Sequence, residues 1–153
     1  MEIRKMTVAE AKSEIQTLTD YYFRNSRACS CMDSFTIQEA ETKIQSMIAH
    51  MMEGSAIVYG CFDNSKLLGY LWAYEMKFRE EQRIYISEAY IDQSVRRQGF
   101  GSSLFEAIEC EAKERGIPAL YLHAEADNKE AIQLYERKGF RSERIQFRKA
   151  LYE

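Results

Sequence analysis

One short segment with two glycines, Val95 to Leu104 (VRRQGFGSSL), constrains the fold of this chain more than any other. It follows an apolar, strand-like run from Ile84 to Ile91. Apolar residues at helical spacing come after it, and they are Phe100, Leu104, Phe105, Ile108 and Ala112. Because the first N–H groups of a helix have no partner inside the helix, the sequence predicts a strand-to-helix turn that can bind an anion such as phosphate.

Three types of phosphate-binding loop begin with such a turn, and the residues around the glycines separate them. A P-loop requires Gly-Lys-Ser or Gly-Lys-Thr, which the sequence does not contain. A dinucleotide-binding fingerprint requires a third glycine where this chain has Leu104. The third pattern, Arg/Gln-x-x-Gly-x-Gly/Ala, fits Arg96 to Gly101. An exposed basic turn that merely caps a helix has the same residues, so the choice depends on the rest of the chain.

Hydrophobic periodicity and turn residues predict one mixed sheet with helices on both faces. The predicted helices are 7–23, 37–51, 98–115 and 131–138, and the predicted strands are 2–6, 56–62, 67–74, 83–91 and 118–124. Residues 24–34 and 76–82 are predicted to be loops, and the tail up to Leu151 alternates enough for one or two further strands. The order β-α-α-β-β-β-α-β-α-β(-β) places an antiparallel meander before a β-α-β unit. The length of 153 residues fits a single domain over 1–153.

A second motif follows the strand predicted at 118–124. Asn128 precedes a predicted helix, and Leu134 to Phe140 reads LYERKGF. Together with the loop at Arg96 to Gly101 and the order of the elements, this segment resembles the Gcn5-related N-acetyltransferases, the GNAT family. The resemblance covers nearly the whole chain. It implies an α/β (α+β) fold of the GNAT type, with a central, mostly antiparallel sheet of six to seven strands and about four helices on its two faces.

The resemblance also implies an activity. Members of the family transfer acetyl directly from acetyl-CoA to an amine, without an acyl-enzyme and without a metal. The acceptor is then a primary amine of a small molecule or a peptide. Such a reaction needs a group that removes a proton from the amine, donors for the thioester oxygen and a proton for the leaving thiolate.

The same resemblance implies which residues bind acetyl-CoA. They are Tyr90, Ile91, Arg96, Arg97, Gln98, Gly99, Phe100, Gly101, Ser102 and Asn128. The backbone N–H groups of residues 98–102 are expected to contact the pyrophosphate, and the two arginines are expected to donate to phosphate oxygens, with simple solvation of one of them as the alternative. The backbone of residues 90–91 pairs with the pantetheine arm, because the family's strand bulges and splays from its neighbour there.

Glu88 is the predicted general base. It stands in an apolar run, and an ionised carboxylate is rarely buried without a partner or a function. An amine with a pKa of about 10.4 in water must lose a proton before it attacks a thioester. Ser87 occupies the neighbouring position, where some family members carry the acid. A structural role, in which Glu88 faces solvent or pairs with Arg83 or a helix residue, fits the sequence equally well.

Two residues of the second motif have a functional and a structural interpretation. The resemblance implies that Tyr135 is the general acid that protonates the leaving thiolate, whereas its spacing alone favours packing against Ala131 and Ile132. Asn128 is implied to hydrogen-bond the CoA arm, although asparagine is also a good helix cap.

The acceptor site is expected in the two N-terminal helices, the segment between them and residues 76–82. Candidate residues are acidic (Glu75, Glu80, Glu81) and aromatic (Tyr21, Tyr22, Trp72, Tyr74). The acidic residues are predicted to attract a cationic amine, although a mixed-charge loop is commonly just solvated. The aromatic residues either line a pocket or belong to the core.

Composition excludes several other functions. A net charge of −3 argues against a nucleic-acid partner. No stretch approaches the roughly 20 apolar residues of a membrane span, and the N-terminus leads into no apolar signal segment. The spacing of Cys29, Cys31, Cys61 and Cys110 does not suit zinc, and only two histidines are present. We therefore expect a cytoplasmic protein with reduced thiols and no metal, in a family whose members often form homodimers.

Two other functions fit the same residues. The chain is then either a non-catalytic module that binds acyl-CoA as a sensor or partner, or an acyltransferase that uses another donor such as succinyl- or propionyl-CoA. Release of the CoA thiol with a panel of amines separates an enzyme from a binding module.

Overall fold

The computed structural model of the chain describes residues 1–28 and 33–152. Its helices are α1 (Val8–Ser13), α2 (Ile15–Arg27), α3 (Ile37–Met52), α4 (Phe100–Glu114) and α5 (Lys129–Arg137). Its strands are β1 (Glu2–Lys5), β2 (Ala56–Asp63), β3 (Lys66–Phe78), β4 (Glu81–Ile91) and β5 (Ala119–Tyr121). The chain forms two compact units, Met1–His123 and Ala124–Glu153.

Five strands form the sheet, in the order β1-β2-β3-β4-β5. The strands β1 to β4 pair antiparallel with their neighbours, whereas β5 runs parallel to β4. This confirms the predicted mixed, mostly antiparallel sheet with fewer strands than expected. The predicted sixth and seventh strands are wrong, because residues 141–152 form no strand. Among its described residues, the second unit offers no other strand with which this tail can build a hydrogen-bond ladder.

The helices α1 and α3 both begin at capping boxes, in which a threonine and the glutamate three residues later bond reciprocally. The Thr7 side chain accepts a hydrogen bond from the N–H of Glu10, and the Glu10 carboxylate accepts one from the N–H of Thr7. Thr36 and Glu39 make the same pair of contacts at the start of α3. The two capping boxes therefore fix the residues at which α1 and α3 begin.

Two predicted boundaries are wrong. The first helix breaks at Glu14, where φ of −98° and ψ of 15° interrupt the helical geometry, and its second part runs on to Arg27. The loop predicted for residues 76–82 is a tight β-hairpin, in which Arg79 and Glu80 take positive φ values of 49° and 67°. Because such a turn matches the twist of the flanking strands, β3 and β4 pair right up to it.

Each face of the sheet carries a buried core. The helices α1 to α3 cover one face, where Leu18, Ile44 and Val58 are buried together. The helix α4 covers the other face with the buried side chains of Leu104 and Ile108. Because side chains alternate along a strand, the central strands contribute to both cores. Residues 92–99, which include a short 3-10 turn at Gln93–Val95, connect the end of β4 to the N-terminus of α4, and the glycine turn lies at the end of this connection.

A charged cluster fixes α4 to the sheet. The nearly buried Glu111 carboxylate accepts hydrogen bonds from Lys5 Nζ (2.6 Å), Tyr59 Oη (2.6 Å) and Arg115 Nε (2.8 Å). Arg115 also contacts Glu75 of β3 at 2.7 Å. Burial raises the pKa of Glu111, but the three donors outweigh it and lower that pKa to about 2. The cluster joins α4 to three strands.

Candidate active site

The glycine turn between β4 and α4 needs its two glycines for different reasons. Gly99 has φ of 90° and ψ of −1°, a left-handed geometry that strains any residue with a Cβ. A Cβ at Gly101 would meet only Ile91 Cγ1 at 3.8 Å, which is an ordinary contact. Gly99 therefore shapes the turn, and Gly101 leaves its surface open.

The backbone amides of this turn are available to a ligand. Within the residues that the structure describes, no backbone N–H from Arg97 to Ser102 donates to a protein acceptor. The first amide with a partner is that of Ser103, which donates to the Gly99 carbonyl at 3.0 Å. Consecutive free amides at the N-terminus of a 15-residue helix form a site for an anion.

The two arginines of the turn have different surroundings. Arg96 Nε donates to the Ile91 carbonyl at 2.8 Å, and its guanidinium lies 5.3 Å from the centre of the Tyr90 ring. Arg97 has φ of 63° and an exposed side chain, which makes no hydrogen bond or ion pair in the described part of the chain. Arg96 therefore holds the end of β4, and Arg97 is the arginine that faces solvent.

A β-bulge in β4 sets the direction of Glu88. Ser87 has no partner across the β3–β4 ladder, because the pair Trp72–Glu88 is followed by a pair that uses Ile86. An extra residue reverses the alternation of side chains along a strand. Tyr85 and Glu88 therefore share one face of the sheet, although their spacing in an unbroken strand would place them on opposite faces.

The last part of β4 has one backbone edge without a strand beside it. The strand β5 pairs with β4 only at residues 83–85. Residues 86–91 therefore have no ladder partner on that side among the described residues. This is the splayed arrangement that the resemblance to the family predicts at the end of this strand.

The backbone orientation at this edge follows from one hydrogen bond. The N–H of Asp92 donates to the Leu68 carbonyl of β3 at 2.8 Å. Because antiparallel strands alternate, the backbone of Tyr90 then faces β3, and the backbones of Ala89 and Ile91 face the open side. Two side chains on that side donate to the carbonyls of these last two residues.

Glu88 is half-buried, and burial has the largest effect on the pKa of its carboxyl group. Burial raises the pKa of Glu88 to about 7, and the hydrogen bond from Asn25 lowers it only in part. Arg83, the partner considered from the sequence, contacts Glu81 at 2.7 Å instead. No cation pairs with Glu88 in the described part of the chain. A carboxylate with this pKa can accept and return a proton near neutral pH.

Asn25 is a site residue that the sequence reasoning missed. Its side-chain Nδ2 donates to the Glu88 carboxylate and to the Ala89 carbonyl, the latter at 3.4 Å. The apolar stripe of α2 that includes Leu18 and Tyr22 continues at position 25 with this polar residue. A polar residue on an apolar stripe was the signal that could have revealed it.

Aromatic side chains cover the face of β3, β4 and β5 beside Glu88. Tyr85 lies at their centre, with its ring centroid 5.3 Å from that of Tyr74, 4.8 Å from Tyr121 and 5.4 Å from His123. Tyr85 Oη and His123 Nδ1 are 3.2 Å apart. The tyrosines are half-buried and His123 is exposed. We call these four residues the aromatic face.

The four aromatic residues predicted for the acceptor site divide into two pairs. Tyr21 and Trp72 belong to the core, with only 5% and 8% of their surface exposed. Tyr22 and Tyr74 are half-buried. Glu88 contributes to raising the pKa of Tyr22 to about 12, after the larger effect of burial. Only the second pair remains available to a ligand.

The acidic residues predicted to attract a cationic acceptor are all neutralised by cations. Glu75 contacts Arg115 at 2.7 Å. Glu80 contacts Lys77 at 3.1 Å, and Glu81 contacts the Arg83 guanidinium at 2.7 Å. None of these three carboxylates therefore presents a free negative charge of the kind that the sequence suggested.

Asn128 and Tyr135 lie in the second compact unit. The Asn128 side chain accepts a hydrogen bond from the N–H of Ala131 at 3.2 Å and so caps α5. Its amide nitrogen is a donor that this cap does not use. The Tyr135 ring packs edge-on against Phe140, with centroids 6.0 Å apart. The helix predicted from the second motif is present as Lys129–Arg137.

Among the described residues, no group of three or more His, Cys, Asp or Glu side chains has the geometry of a metal site. No helix in the described ranges has both the length and the apolar character that a membrane crossing requires. Cys29 and Cys31 lie outside the described residues, and Cys61 and Cys110 are free.

Comparison with known proteins identifies the family. Residues 16–140 match the model described as the acetyltransferase (GNAT) family. This chain belongs to the GNAT family. The match includes the glycine turn, Glu88 and the second motif, so the resemblance stated from the sequence is confirmed.

Curated relatives of this GNAT chain are similar over part of their length. The uncharacterized N-acetyltransferase YdgE of Bacillus subtilis is 27% identical over 89 residues, which are 58% of this chain and 57% of YdgE. The [ribosomal protein bS18]-alanine N-acetyltransferase of Escherichia coli is 42% identical over 50 residues, which are 33% of this chain and 34% of that protein. The chain thus spans about half or less of each of these relatives.

Solved structures show the same fold. A mutant of the BH1408 protein from Bacillus halodurans superposes with a TM-score of 0.85 at 20% identity, over 99% of this chain and all of that one. An aminoglycoside acetyltransferase from an uncultured soil metagenomic sample, in complex with sisomicin, gives a TM-score of 0.73 at 19% identity over 99% of this chain and 96% of that chain. At such identities the likeness supports the GNAT fold alone.

Proposed function

We propose that this GNAT chain is an acetyl-CoA-dependent N-acetyltransferase that acts as a single domain on a primary amine of a small molecule or peptide. The observation that carries the proposal is the neighbourhood of two features at the end of β4. One is a turn with free amides, and the other is a half-buried carboxylate with a pKa of about 7. A sensor needs the first feature but has no use for the second.

The residues of the turn fit the diphosphate of acetyl-CoA. Free N–H groups from Arg97 to Ser102 supply donors, the N-terminal end of α4 supplies a positive dipole, and the Arg97 side chain supplies a mobile positive charge. When bound, acetyl-CoA supplies an activated acetyl group as a thioester. The free N–H groups of Ala89 and Ile91 on the open edge of β4 are suited to an extended amide-containing arm.

Glu88 is proposed to take the proton from the ammonium form of the acceptor, directly or through one water. Its side chain faces α2, and the hydrogen bond from Asn25 of that helix holds the carboxylate in place. Removing a proton by a positioned base contributes typically about 100- to 10,000-fold to a rate. Neutral amine is then available at a pH where the free amine is mostly charged.

Tyr135 and Asn128 complete the proposal through their match to the family. Tyr135 Oη is proposed to return a proton to the departing thiolate, which is a modest aid because a thiol with a pKa of about 8.5 leaves readily. The unused amide nitrogen of Asn128 is proposed to donate to the CoA arm.

Calorimetric titration with acetyl-CoA tests the proposal when it is combined with an assay for release of the CoA thiol across a panel of amines. We expect saturable binding and amine-dependent release. Gly99→Val should lose binding by more than about 10-fold, since a β-branched residue resists the left-handed geometry of the turn. Gly54→Val is the matched control for folding, because Gly54 also has a left-handed φ, of 78°, with space around its Cβ position, and lies outside the turn. Unchanged affinity in Gly99→Val would refute the assignment of the turn, and binding without any release would favour a sensor.

A further inference from the structure

The aromatic face beside Glu88 bears on which amine the site accepts, an issue that neither the family nor the relatives decide. Three tyrosine rings from three strands and the His123 ring that follows β5 lie in one contiguous group around Tyr85. The bulge at Ser87 turns Glu88 toward this group. Rings and carboxylate therefore belong to a single surface, with the carboxylate at one end.

The charges around this surface are unusual for a site that takes a polycation. The carboxylates near the β3–β4 hairpin are each held by a cation, as described for Glu75, Glu80 and Glu81. On α2, Asp20 contacts Arg24 at 2.9 Å. Glu88 is thus, in the described residues around this face, the carboxylate without a cationic partner. One ammonium group of an acceptor can therefore pair with Glu88, whereas a second or third ammonium group would have no carboxylate to pair with.

The dimensions also suit a short acceptor. Glu88 is three residues from Tyr85 along β4, a distance of about 10 Å in an extended strand. An amine that reaches the Glu88 carboxylate through a two-carbon linker brings an attached ring toward Tyr85 and Tyr74. Aromatic side chains prefer offset or edge-to-face contacts with a further ring, and their faces also attract a cation.

We propose that the acceptor of this chain is a monocationic primary amine with an aromatic body, of the arylalkylamine type, and that the aromatic face binds that body. The inference rests on the proposed function and narrows it. The ammonium group lies at Glu88, and the ring stacks among Tyr74, Tyr85 and Tyr121. A polyamine or an aminoglycoside leaves its additional ammonium groups against ring walls, where they lose hydration without gaining a carboxylate.

The test uses a matched pair of amines, 2-phenylethylamine and 2-cyclohexylethylamine, with spermidine as the polycation. The pair differs in aromaticity but keeps the same linker and charge. We expect kcat/KM for phenylethylamine to exceed that for cyclohexylethylamine by about 3- to 10-fold, the range that aromatic pairs supply. Spermidine should be poorer still, by on the order of 10-fold.

Variants of Tyr85 locate the preference. Tyr85→Leu should reduce the ratio between the paired amines to about 1, whereas Tyr85→Phe keeps the ring and should keep the ratio. The KM for acetyl-CoA should not change in either variant. Tyr74→Leu and Tyr74→Phe repeat the test if Tyr85→Leu does not fold.

The outcomes separate this inference from the proposed function. Equal kcat/KM for the paired amines, or a preference for spermidine, would overturn the inference and leave an N-acetyltransferase. Absence of turnover with every amine, with tighter calorimetric binding of phenylethylamine than of its cyclohexyl analogue, would overturn the proposed function and the acceptor role, and would leave the aromatic face as a binding site for an aryl amine. Equal binding of the pair without turnover would overturn both.

Discussion

Two partly buried carboxylates of this chain have opposite acidity, and the comparison shows how the fold separates stability from chemistry. Glu111 on α4 accepts hydrogen bonds from three side chains, two of them cationic, and its pKa falls to about 2. Glu88 on β4 has Asn25 as its hydrogen-bond donor and no cation, and burial raises its pKa to about 7. The number and charge of the donors therefore decide whether a buried carboxylate is a structural anchor or a reactive group.

The largest expected effect follows from removing the carboxylate that we propose as the general base. Glu88→Gln should lower kcat/KM for the acceptor amine by about 100- to 10,000-fold, because the proton acceptor is lost. The wild-type rate should fall as the pH drops below about 7, where Glu88 becomes protonated, and the variant should lack this inflection. Initial rates of thiol release between pH 5.5 and 9 measure both. An unchanged inflection near pH 7 in Glu88→Gln would assign it to another group.

The corresponding change in the anchor should affect folding instead. Glu111→Gln leaves Lys5 and Arg115 without their shared anion and should destabilise the chain by about 2–4 kcal/mol, which is below the usual loss for a fully buried ion pair because both cations reach solvent. Urea unfolding measures the change. The pH inflection of the remaining activity should stay where it is. A variant with normal stability would show that the cluster is not an anchor.

Glu111 and Glu88 should contribute to the pH dependence of the free energy of unfolding with opposite signs. Because the folded pKa of Glu111 lies below its ordinary 4.5, its contribution is complete above pH 4.5 and is lost as the pH falls toward 2. Because the folded pKa of Glu88 lies above 4.5, its contribution is complete below pH 4.5 and is lost as the pH rises through 7. Glu88→Gln should therefore gain about 1–2 kcal/mol relative to wild type between pH 4.5 and 8, a value reduced for partial exposure. Urea unfolding midpoints of wild type and Glu88→Gln measure this across the pH range. If the midpoints of the two proteins changed in parallel with pH, the raised pKa of Glu88 would be contradicted.

The smallest expected effects come from single neutral donors. Asn25→Ala removes a hydrogen bond that favours the ionised form of Glu88, so the activity inflection should move above pH 7 by less than about one unit. Tyr59→Phe removes one donor of several at Glu111 and should cost about 1 kcal/mol of stability. A shift of the inflection to lower pH in Asn25→Ala would reverse the proposed role of this side chain.

The sequence was most informative where a local pattern had one physical use. The glycine turn was predictable because Gly99 and Gly101 stand between an apolar strand and an amphipathic helix. The partial burial of Glu88 was predictable because this carboxylate interrupts an apolar run. In both cases the structural requirement is carried by a few consecutive residues.

Features that depend on a distant partner were not predictable in this way. The position of the bulge at Ser87 is set by the register between β3 and β4, and no residue pattern within β4 indicates it. The hairpin at residues 79–80 was missed because Arg and Glu are uncommon at positive φ, and their charges suggested a loop. Asn25 and the Glu111 cluster bring together residues that are 63 and 106 positions apart. The tail beyond Arg141 has alternation without a pairing strand in its own unit.

The most direct test of the central idea is a titration of ¹⁵N-labelled protein with coenzyme A, followed by the backbone amide resonances. We expect the amide resonances of residues 97–102, together with those of Ala89 and Ile91, to shift and to saturate at the same coenzyme concentration. The amides around Glu111 should stay in place. Saturable binding that leaves residues 97–102 unshifted would contradict the assignment of the glycine turn as the phosphate site.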